Sequence, residues 1–585
     1  MARQKADIGK LIGYIRKYRK YFIFGALAII LTNSFQMLAP WLVKDAIESI
    51  ELERATSTSL LIDAVKITGV AVLAGFFLFA LRRTIIWASR FIEFDLKNEL
   101  AEKLLELPRS FYNRTPTGDI IARLSNDIEA VRMMVGPAVM HIANTAVAGT
   151  IALCLMLILS PKLTLIALLP FPVLAYTFKK VAAYIYTLNY KIQTHFSTMS
   201  AFVQENLAGV RVVKAYNQEN HQSGDFDGLN REYINLNLKL AKLQGIFHPL
   251  VALEVGVIMI IVLYFGGKQV IDGGMSLGVL VAFMLYLASL VWPVMAVGWT
   301  ITLYQRGKAS LHRIQKILDI EPEVRDTEKT KDVDKLKPEI KFNTLSFMYP
   351  GTERLVLKDI SLDIPAGKTT AFVGRTGSGK STIVELIIRN YQIPDGRITI
   401  GGEDINSIPL EKLRSMIGYV PQESFLFSES LAENIALGIG RVDESEIREA
   451  AVRSGLAADV SDFPKGYDTI VGERGVTLSG GQKQRAALAR AIIRDPDILI
   501  LDDTFSAVDT ATEEKILSGL DDVMRSRTTV LISHRISTIK KADLIHVIDD
   551  GRIVDSGSHG TLLSSCELYA DIVQRQELEE QLEQL

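Results

Sequence analysis

Three long stretches without a charged side chain crowd into the first half of this 585-residue chain and decide what it can fold into. They run for 23 residues from Tyr21 to Val43, 29 from Met133 to Pro161 with His141 counted as neutral, and 33 from Gly273 to Gln305. After Arg306 no such run exceeds 11 residues. A helix of about 20 apolar residues crosses the roughly 30 Å of hydrocarbon in a bilayer. The first half therefore reads as membrane and the second as soluble, which excludes a wholly cytosolic chain and a secreted one. Composition agrees: 48% of residues are hydrophobic and 23% charged, and the mean hydropathy is +0.20, apolar for a soluble chain.

Six segments qualify as spans, at about 21–43, 64–88, 135–159, 162–187, 244–267 and 276–303. The fourth carries Lys179 and Lys180 near one end, where long cationic side chains snorkel to the interface. Basic residues beside the spans set orientation. The leader holds Arg3, Lys5, Lys10, Arg16, Lys17, Arg19 and Lys20, whereas the first connecting loop holds Asp45, Glu48, Glu51, Glu53 and Asp63. The N-terminus is therefore expected inside, and after six crossings the soluble half is inside too, as in a multi-pass cell-membrane protein. The first apolar run outlasts the 7–15 residues of a signal peptide's core and no A-x-A site follows it. Ile8, Leu11, Ile12 and Ile15 repeat at i, i+3, i+4, i+7 among the leader's basic residues, which predicts an interfacial helix over 8–20 on the inner leaflet.

The outer loops are short, one lying at Ser160-Pro161-Lys162, whereas the inner segments 89–134 and 188–243 are long, charged and helix-compatible. Their turns, Phe111–Asp119 with the breakers Pro116 and Gly118, and Ala208–Tyr216, are expected to meet a soluble domain. Between 319 and 339, 13 of 21 residues are charged, with Pro322 and Pro338, the signature of a linker. The organisation expected is a membrane domain over 1–318, this linker, a nucleotide-binding domain over 340–575 and an acidic helical tail over 576–585. Leu578, Leu582 and Leu585 in that tail fit a solvated helix or a dimer-contact helix. The net charge of −2 provides no basic stripe for nucleic acid. Cys154 and Cys566 stand 412 residues apart, too far for metal-ligand spacing, and Cys154, inside an apolar run, is expected to be a buried structural thiol.

Gly374-Arg375-Thr376-Gly377-Ser378-Gly379-Lys380-Ser381 fits GxxxxGK[ST]. It follows the apolar run Thr369–Val373 and opens an apolar-periodic helix that continues through Thr382, the context a phosphate-binding loop requires. Its glycines let successive N–H groups face phosphate, the helix N-terminus adds a positive dipole, and Lys380 reaches the β/γ oxygens. Ser381 would hold Mg²⁺, which takes few protein ligands and keeps its waters. Ile498-Leu499-Ile500-Leu501-Asp502 reads as a buried strand ending in the carboxylate that orders this ion. Leu478-Ser479-Gly480-Gly481-Gln482 opens another helix and makes a second anion-binding start. One loop already serves a triphosphate, so the second fits the nucleotide of another copy.

With these motifs in place the chain resembles the ATP-binding cassette exporters, as a half-transporter with six spans ahead of one cassette. The resemblance runs from about residue 8 to 575. It implies an all-α six-helix transmembrane domain fused to an α/β P-loop ATPase, and two ATP molecules sandwiched head to tail in a dimer. Tyr349 matches the aromatic that stacks on adenine, Gln422 the Q-loop glutamine near the metal and the attacking water, Asp509 the D-loop and His534 the switch histidine. Glu473 resembles the loop that senses the membrane domain, and Phe111–Asp119 and Ala208–Tyr216 resemble its coupling helices.

One position departs from the family pattern. A glutamate normally follows the Walker B aspartate to orient or deprotonate water, and here Asp503 stands there, followed by Thr504-Phe505 instead of Ala-Thr. Its carboxylate is pulled back by about 1.5 Å, one C–C bond, and a misplacement of about 1 Å can cost on the order of 10²-fold in rate. The change resembles the slow-site half of a heterodimeric exporter whose intact Leu478–Gln482 completes the partner's competent site. A homodimer using Asp503 as base is the alternative, which the intact His534 favours, and an ATP-gated channel or switch is a third. The expected cargo is a hydrophobic or amphipathic drug, lipid or peptide. Glu254 is the formally charged residue deep inside a span, which makes it a candidate for substrate recognition. Pairing with His141 or Asn144 is the alternative for it. Arg82 and Arg83 fall at the inner leaflet, as anchors or as contacts to anionic headgroups.

Overall fold

The computed structural model describes residues 8–331, 333, 335–440, 442–472, 477–505 and 510–583. Asp509 and Glu473 lie outside the described residues. Contacts gather the chain into two units, one made of the residues up to Leu105 with Thr117–Ile320, the other of Glu106–Pro116 with the residues from Glu321 onward.

The first unit is built of helices among its described residues. Five of the described helices are long and apolar enough to cross a membrane: Arg19–Glu51, Ser57–Glu106, Thr117–Leu159, Glu219–Ile271 and Leu277–Leu318. The fourth expected span is not one helix. It runs as Pro161–Leu168 and restarts as Phe171–Ala208. Leu169 keeps right-handed helical angles, but Pro170 and Pro172 provide no N–H, so two rungs of the hydrogen-bond ladder are lost there. Hydropathy alone does not register this break. Span starts are capped where the sequence provides side-chain oxygens. The Ser160 hydroxyl accepts from Leu163 N at 3.3 Å, with Pro161 in the first turn. The Ser276 hydroxyl accepts from Val279 N at 3.1 Å and donates to Glu48, while Glu51 Oε2 accepts from Leu277 N at 3.3 Å. Two acidic residues of the first outer loop thus serve the positive end of the last span.

The core of this unit is narrow, gathered around Phe283, Tyr286, Met156, Leu163 and Val262. The Tyr286 hydroxyl donates to Met37 O at 2.7 Å, and Asn33 Nδ2 donates to Asn144 Oδ1 at 2.9 Å, joining the first and third spans. Large apolar side chains such as Phe24, Phe76 and Ile158 point outward, as they do where the solvent is hydrocarbon. Cys154 is exposed rather than buried. An apolar run in a membrane helix covers the lipid face as readily as the core, so burial does not follow from it.

Among the described residues the second unit holds two sheets, built from β1 (Ile340–Met348), β2 (Leu355–Ile364), β3 (Thr369–Gly374), β4 (Ile398–Ile400), β5 (Glu403–Asp404), β6 (Ile417–Val420), β7 (Ile498–Asp502), β8 (Thr528–Ile532), β9 (Leu544–Asp549) and β10 (Arg552–Gly557). An antiparallel one has the order β2-β1-β4-β5, and a six-stranded one the order β10-β9-β3-β8-β7-β6. In the latter β3 (Thr369–Gly374), β7 (Ile498–Asp502) and β8 (Thr528–Ile532) are buried along their whole length, the pattern of a parallel sheet covered on both faces. Strand β8 pairs in parallel with both β3 and β7. The carboxyl ends of three neighbouring strands therefore open on one edge, which is where α/β sheets place ligands.

Candidate functional site

Each of those three strand ends delivers part of the site. Strand β3 runs into Gly374 and the loop to Gly379, from which the helix Lys380–Ile387 starts. Strand β7 ends in Asp502 with Asp503 following, and β8 is followed by Ser533 and His534. They border a cleft of about 300 Å³ lined by Tyr349, Thr376, Gly377, Gly379, Lys380, Ser381, Thr382, Gln422, Asp502, Asp503 and His534. Val356 and Ile532 complete its wall; both sit in apolar strand runs that carry no chemical signal, so sequence reasoning passed over them. Gly374, Arg375 and Ser378 shape the loop without lining the cleft.

The glycines are required by sterics. A Cβ on Gly374 would stand 2.0 Å from Ile548 O. One on Gly379, whose φ is +106°, would stand 2.7 Å from Leu357 Cδ2. Lys380 is buried, and its ammonium donates to the carbonyls of Gly374 at 2.9 Å and Arg375 at 3.0 Å. Burial lowers its pKa despite the nearby carboxylates of Asp503 and Asp502. The Ser381 hydroxyl donates to Asp502 Oδ1 at 3.1 Å. These two hard oxygens, set beside a phosphate-binding loop, are the donor set that Mg²⁺ takes. Burial, with the charges of Asp503 and Glu385, raises the Asp502 carboxyl from its ordinary 3.8 to about 6, against the opposing Ser381 hydrogen bond.

Asp503 has φ +46° and donates its backbone N–H to Ile532 O at 2.9 Å. Its Oδ2 accepts from Gln422 Nε2 at 3.3 Å. Of the residues that set the usual Ala-Thr aside, Phe505 is buried in the core beside β7 and Thr504 is buried too. His534 is exposed, and its carbonyl accepts from Gln576. Tyr349 is half-buried, with its hydroxyl 2.9 Å from Thr382 Oγ1 and its ring edge-on to Tyr391.

Leu478–Gln482 does not line the cleft. Ser479 caps the helix Gly480–Ile492, accepting from Gln482 N at 3.2 Å while Gln482 Oε1 accepts from Ser479 N at 3.0 Å. Gln482 also donates to Asp459, which is held by Arg485 at 2.7 Å. The signature turn is thus a rigid, capped helix start. Glu254 pairs with neither residue named for it. Asn144 is taken by Asn33, His141 stacks edge-on against Trp299 at 5.1 Å, and Glu254 Oε2 is buried without a hydrogen-bond partner among the described residues. Arg83 lies over the Trp87 ring at 4.7 Å.

A contact 276 residues apart in sequence joins the first inner turn to this site. The short helix Arg109–Arg114 is part of the second unit. Arg109 forms an ion pair with Glu385, four residues along the helix from Ser381 and also held by Asn390 Nδ2 at 2.5 Å. Arg114 packs over Gly351, where a Cβ would stand 2.4 Å from its Nη2. One turn thereby touches both the helix that carries Ser381 and the segment that carries Tyr349. Arg109→Glu is expected to lower ATP turnover about two- to fivefold, the scale of a partly exposed ion pair. Adding Glu385→Arg should restore most of it in the same steady-state assay.

Residues 22–294 match the family described as ABC transporter transmembrane region, and residues 357–506 match the one described as ABC transporter. The probable multidrug resistance ABC transporter ATP-binding/permease protein YheI of Bacillus subtilis is 36% identical over 96% of each chain. The multidrug resistance-like ATP-binding protein MdlA of Escherichia coli is 32% identical, over 97% of this chain and 96% of its own. The ATP-dependent lipid A-core flippase of Syntrophus aciditrophicus is 32% identical, over 96% of this chain and 93% of its own. The solved structure of a bacterial Atm1-family ABC exporter with ATP bound matches with a TM-score of 0.80 at 28% identity, covering 95% of this chain and 99% of that one. Likeness that runs through both units, meeting a cleft built on a phosphate-binding loop, places this chain among the ABC transporters, as an exporter polypeptide that joins its membrane-spanning region to one cytoplasmic ATP-hydrolysing cassette.

Proposed function

We propose that this chain is one half of a heterodimeric exporter that moves a hydrophobic or amphipathic drug, lipid or peptide out across the cell membrane, and that its own cleft hydrolyses ATP slowly. The carrying observation is Asp503. It occupies the position of the water-orienting glutamate with a shorter arm, and Gln422 holds its carboxylate at 3.3 Å. In this reading Tyr349 stacks on adenine, the loop Gly374–Thr382 and Lys380 hold the phosphates, and His534 hydrogen-bonds the terminal phosphate. Ser381, Asp502 and Gln422 hold Mg²⁺, which when bound neutralises phosphate charge. Ser479, with Leu478, Gly480, Gly481, Gln482 and Asp509, serves the nucleotide bound by the partner's cassette. For Leu478–Gln482 that assignment is supported by their place away from this chain's own cleft. A second half also has a surface to meet in the turn Val210–Ala215, which buries none of its residues in this chain and exposes Val212 and Tyr216. Nucleotide binding then biases an inward–outward equilibrium of the spans.

Purification of the chain alone tests the heterodimer. It should turn over ATP poorly, and co-expression with its second half should restore activity that survives Asp503→Asn in this chain. The homodimer reading draws on Asp503 and His534 lining one cleft. A transport-competent chain on its own, losing turnover on Asp503→Asn, would establish it and end the heterodimer reading. Glu254 is the proposed contact for a cationic group on the cargo, supported by the unpartnered Oε2. Glu254→Gln should then reduce drug-stimulated ATPase several-fold while basal turnover stays constant; unchanged stimulation removes it from the cargo path.

A further inference from the structure

The turn that carries His534 is held from the far end of the chain. The helix Glu567–Glu583 lays Tyr569 and Val573 into the core cluster that also takes in Leu531 of β8 and Ile536. Gln576 completes an i, i+4, i+7 series with them, so it falls on the same face, one turn past the core contacts. Its side-chain amide meets the backbone on both sides of Arg535. Oε1 accepts from Ile536 N at 2.8 Å, and Nε2 donates to His534 O. A primary amide carries a donor and an acceptor on one planar group, so one glutamine can fix an N–H and a C=O together.

Other groups of the turn are tied down nearby. Ser533 Oγ accepts from Arg535 N at 3.0 Å. The Arg535 guanidinium and the Thr538 hydroxyl both donate to Glu513, which is 1% exposed on the helix Thr510–Arg525. The His534 ring differs from them. It lines the cleft with Lys380 and Ser381, and among the described residues no hydrogen bond holds it. Its place is therefore set through its backbone, and Gln576 is the side chain that bonds the His534 carbonyl. We propose that Gln576 is a positioning residue for ATP hydrolysis at this chain's cleft, holding the His534 peptide so that the imidazole meets the terminal phosphate. The end of the C-terminal helix thereby serves the nucleotide site. This rests on the reading in which His534 hydrogen-bonds that phosphate.

Gln576→Met removes both bonds while keeping side-chain length and helix propensity. In the full chain with its second half, and with the partner's site silenced, it should slow single-turnover ATP hydrolysis about tenfold, within what a displacement of under 1 Å can cost. Affinity for AMP-PNP should fall about fivefold, the worth of one hydrogen bond. Affinity for ADP should stay constant, because ADP lacks the phosphate that His534 meets. Gln576→Glu, which keeps the Ile536 bond but sets a carboxylate against His534 O, should lose as much. In a His534→Ala background, Gln576→Met should change the rate less than about twofold, since no imidazole remains to be positioned. A helix-docking role alone would lower affinity for both nucleotides together and slow hydrolysis equally in both backgrounds; either result overturns the proposal. If His534→Ala slows hydrolysis and Gln576→Met does not, the proposal falls and the reading of His534 stands. If His534→Ala changes neither the rate nor the AMP-PNP affinity, both fall.

Discussion

Asp503→Glu should raise hydrolysis at this chain's own cleft by about ten- to a hundredfold, the range that a 1 Å correction in placement commands. Nucleotide affinity should hardly change, because the proposed phosphate contacts come from the loop before Lys380 and from Ser381. The argument concerns reach. The Asp503 backbone is fixed, since its N–H is bonded to Ile532 O at 2.9 Å, so only side-chain length can carry the carboxylate outward. A glutamate adds about 1.5 Å, lifting the oxygens past the Gln422 amide that now holds them at 3.3 Å. Residue 503 adopts φ +46°, a region that aspartate tolerates better than most side chains. The gain in rate should therefore come with a small loss of thermal stability, on the order of 1 kcal/mol. Single-turnover hydrolysis, with the partner's site silenced, measures it. A rate unmoved by glutamate would show that carboxylate reach does not limit this site and would remove the physical basis of the slow-site reading.

The site was legible in the sequence to the extent that its chemistry is contiguous. A phosphate loop needs glycines and a lysine within eight positions, because one backbone turn makes the whole cradle, and Gly374–Ser381 carry it openly. Asp502 was legible for a similar reason, since a strand buried on both faces has to be apolar until it ends. Contacts made by docking were not legible. Nothing near Arg109 announces Glu385, because the pair closes a loop of 276 residues and each partner reads locally as an ordinary surface charge. Within the membrane unit, hydropathy found where apolar helix exists but not its continuity or its facing. Leu169-Pro170 broke a span that the apolar count had joined, and Cys154 turned to the surface because lipid accepts what a soluble core would have had to bury.

Asp502→Asn should make the nucleotide-free protein more stable, by as much as about 3 kcal/mol at pH 7.5, even as it removes a charged oxygen from the proposed Mg²⁺ donor set. Asp502 is 3% exposed at the end of β7, and its carboxyl is raised from 3.8 to about 6 by burial and by the neighbouring Asp503 and Glu385. Below about pH 4 the folded and unfolded states both hold the proton, and no penalty exists. Between about 4 and 6 the unfolded chain gives up the proton that the folded one keeps, so stability falls as pH rises. Above about 6 the folded state carries the buried charge and the full cost persists. An asparagine can still accept from Ser381 and has no charge to bury. The variant's melting temperature should exceed that of the wild type by about 6–12 °C at pH 7.5, taking 2–4 °C per kcal/mol for a domain of this size, and by about half as much at pH 5. A divalent cation with ATP offsets the same penalty in the wild type, so its addition should stabilise the wild type far more than the variant. A variant that is less stable than the wild type at pH 7.5, or equally shifted at both pH values, would show that the cleft solvates Asp502 better than its burial implies. The gain expected here is stability that the cassette forgoes to keep a carboxylate at the proposed Mg²⁺ position, the exchange common at active sites.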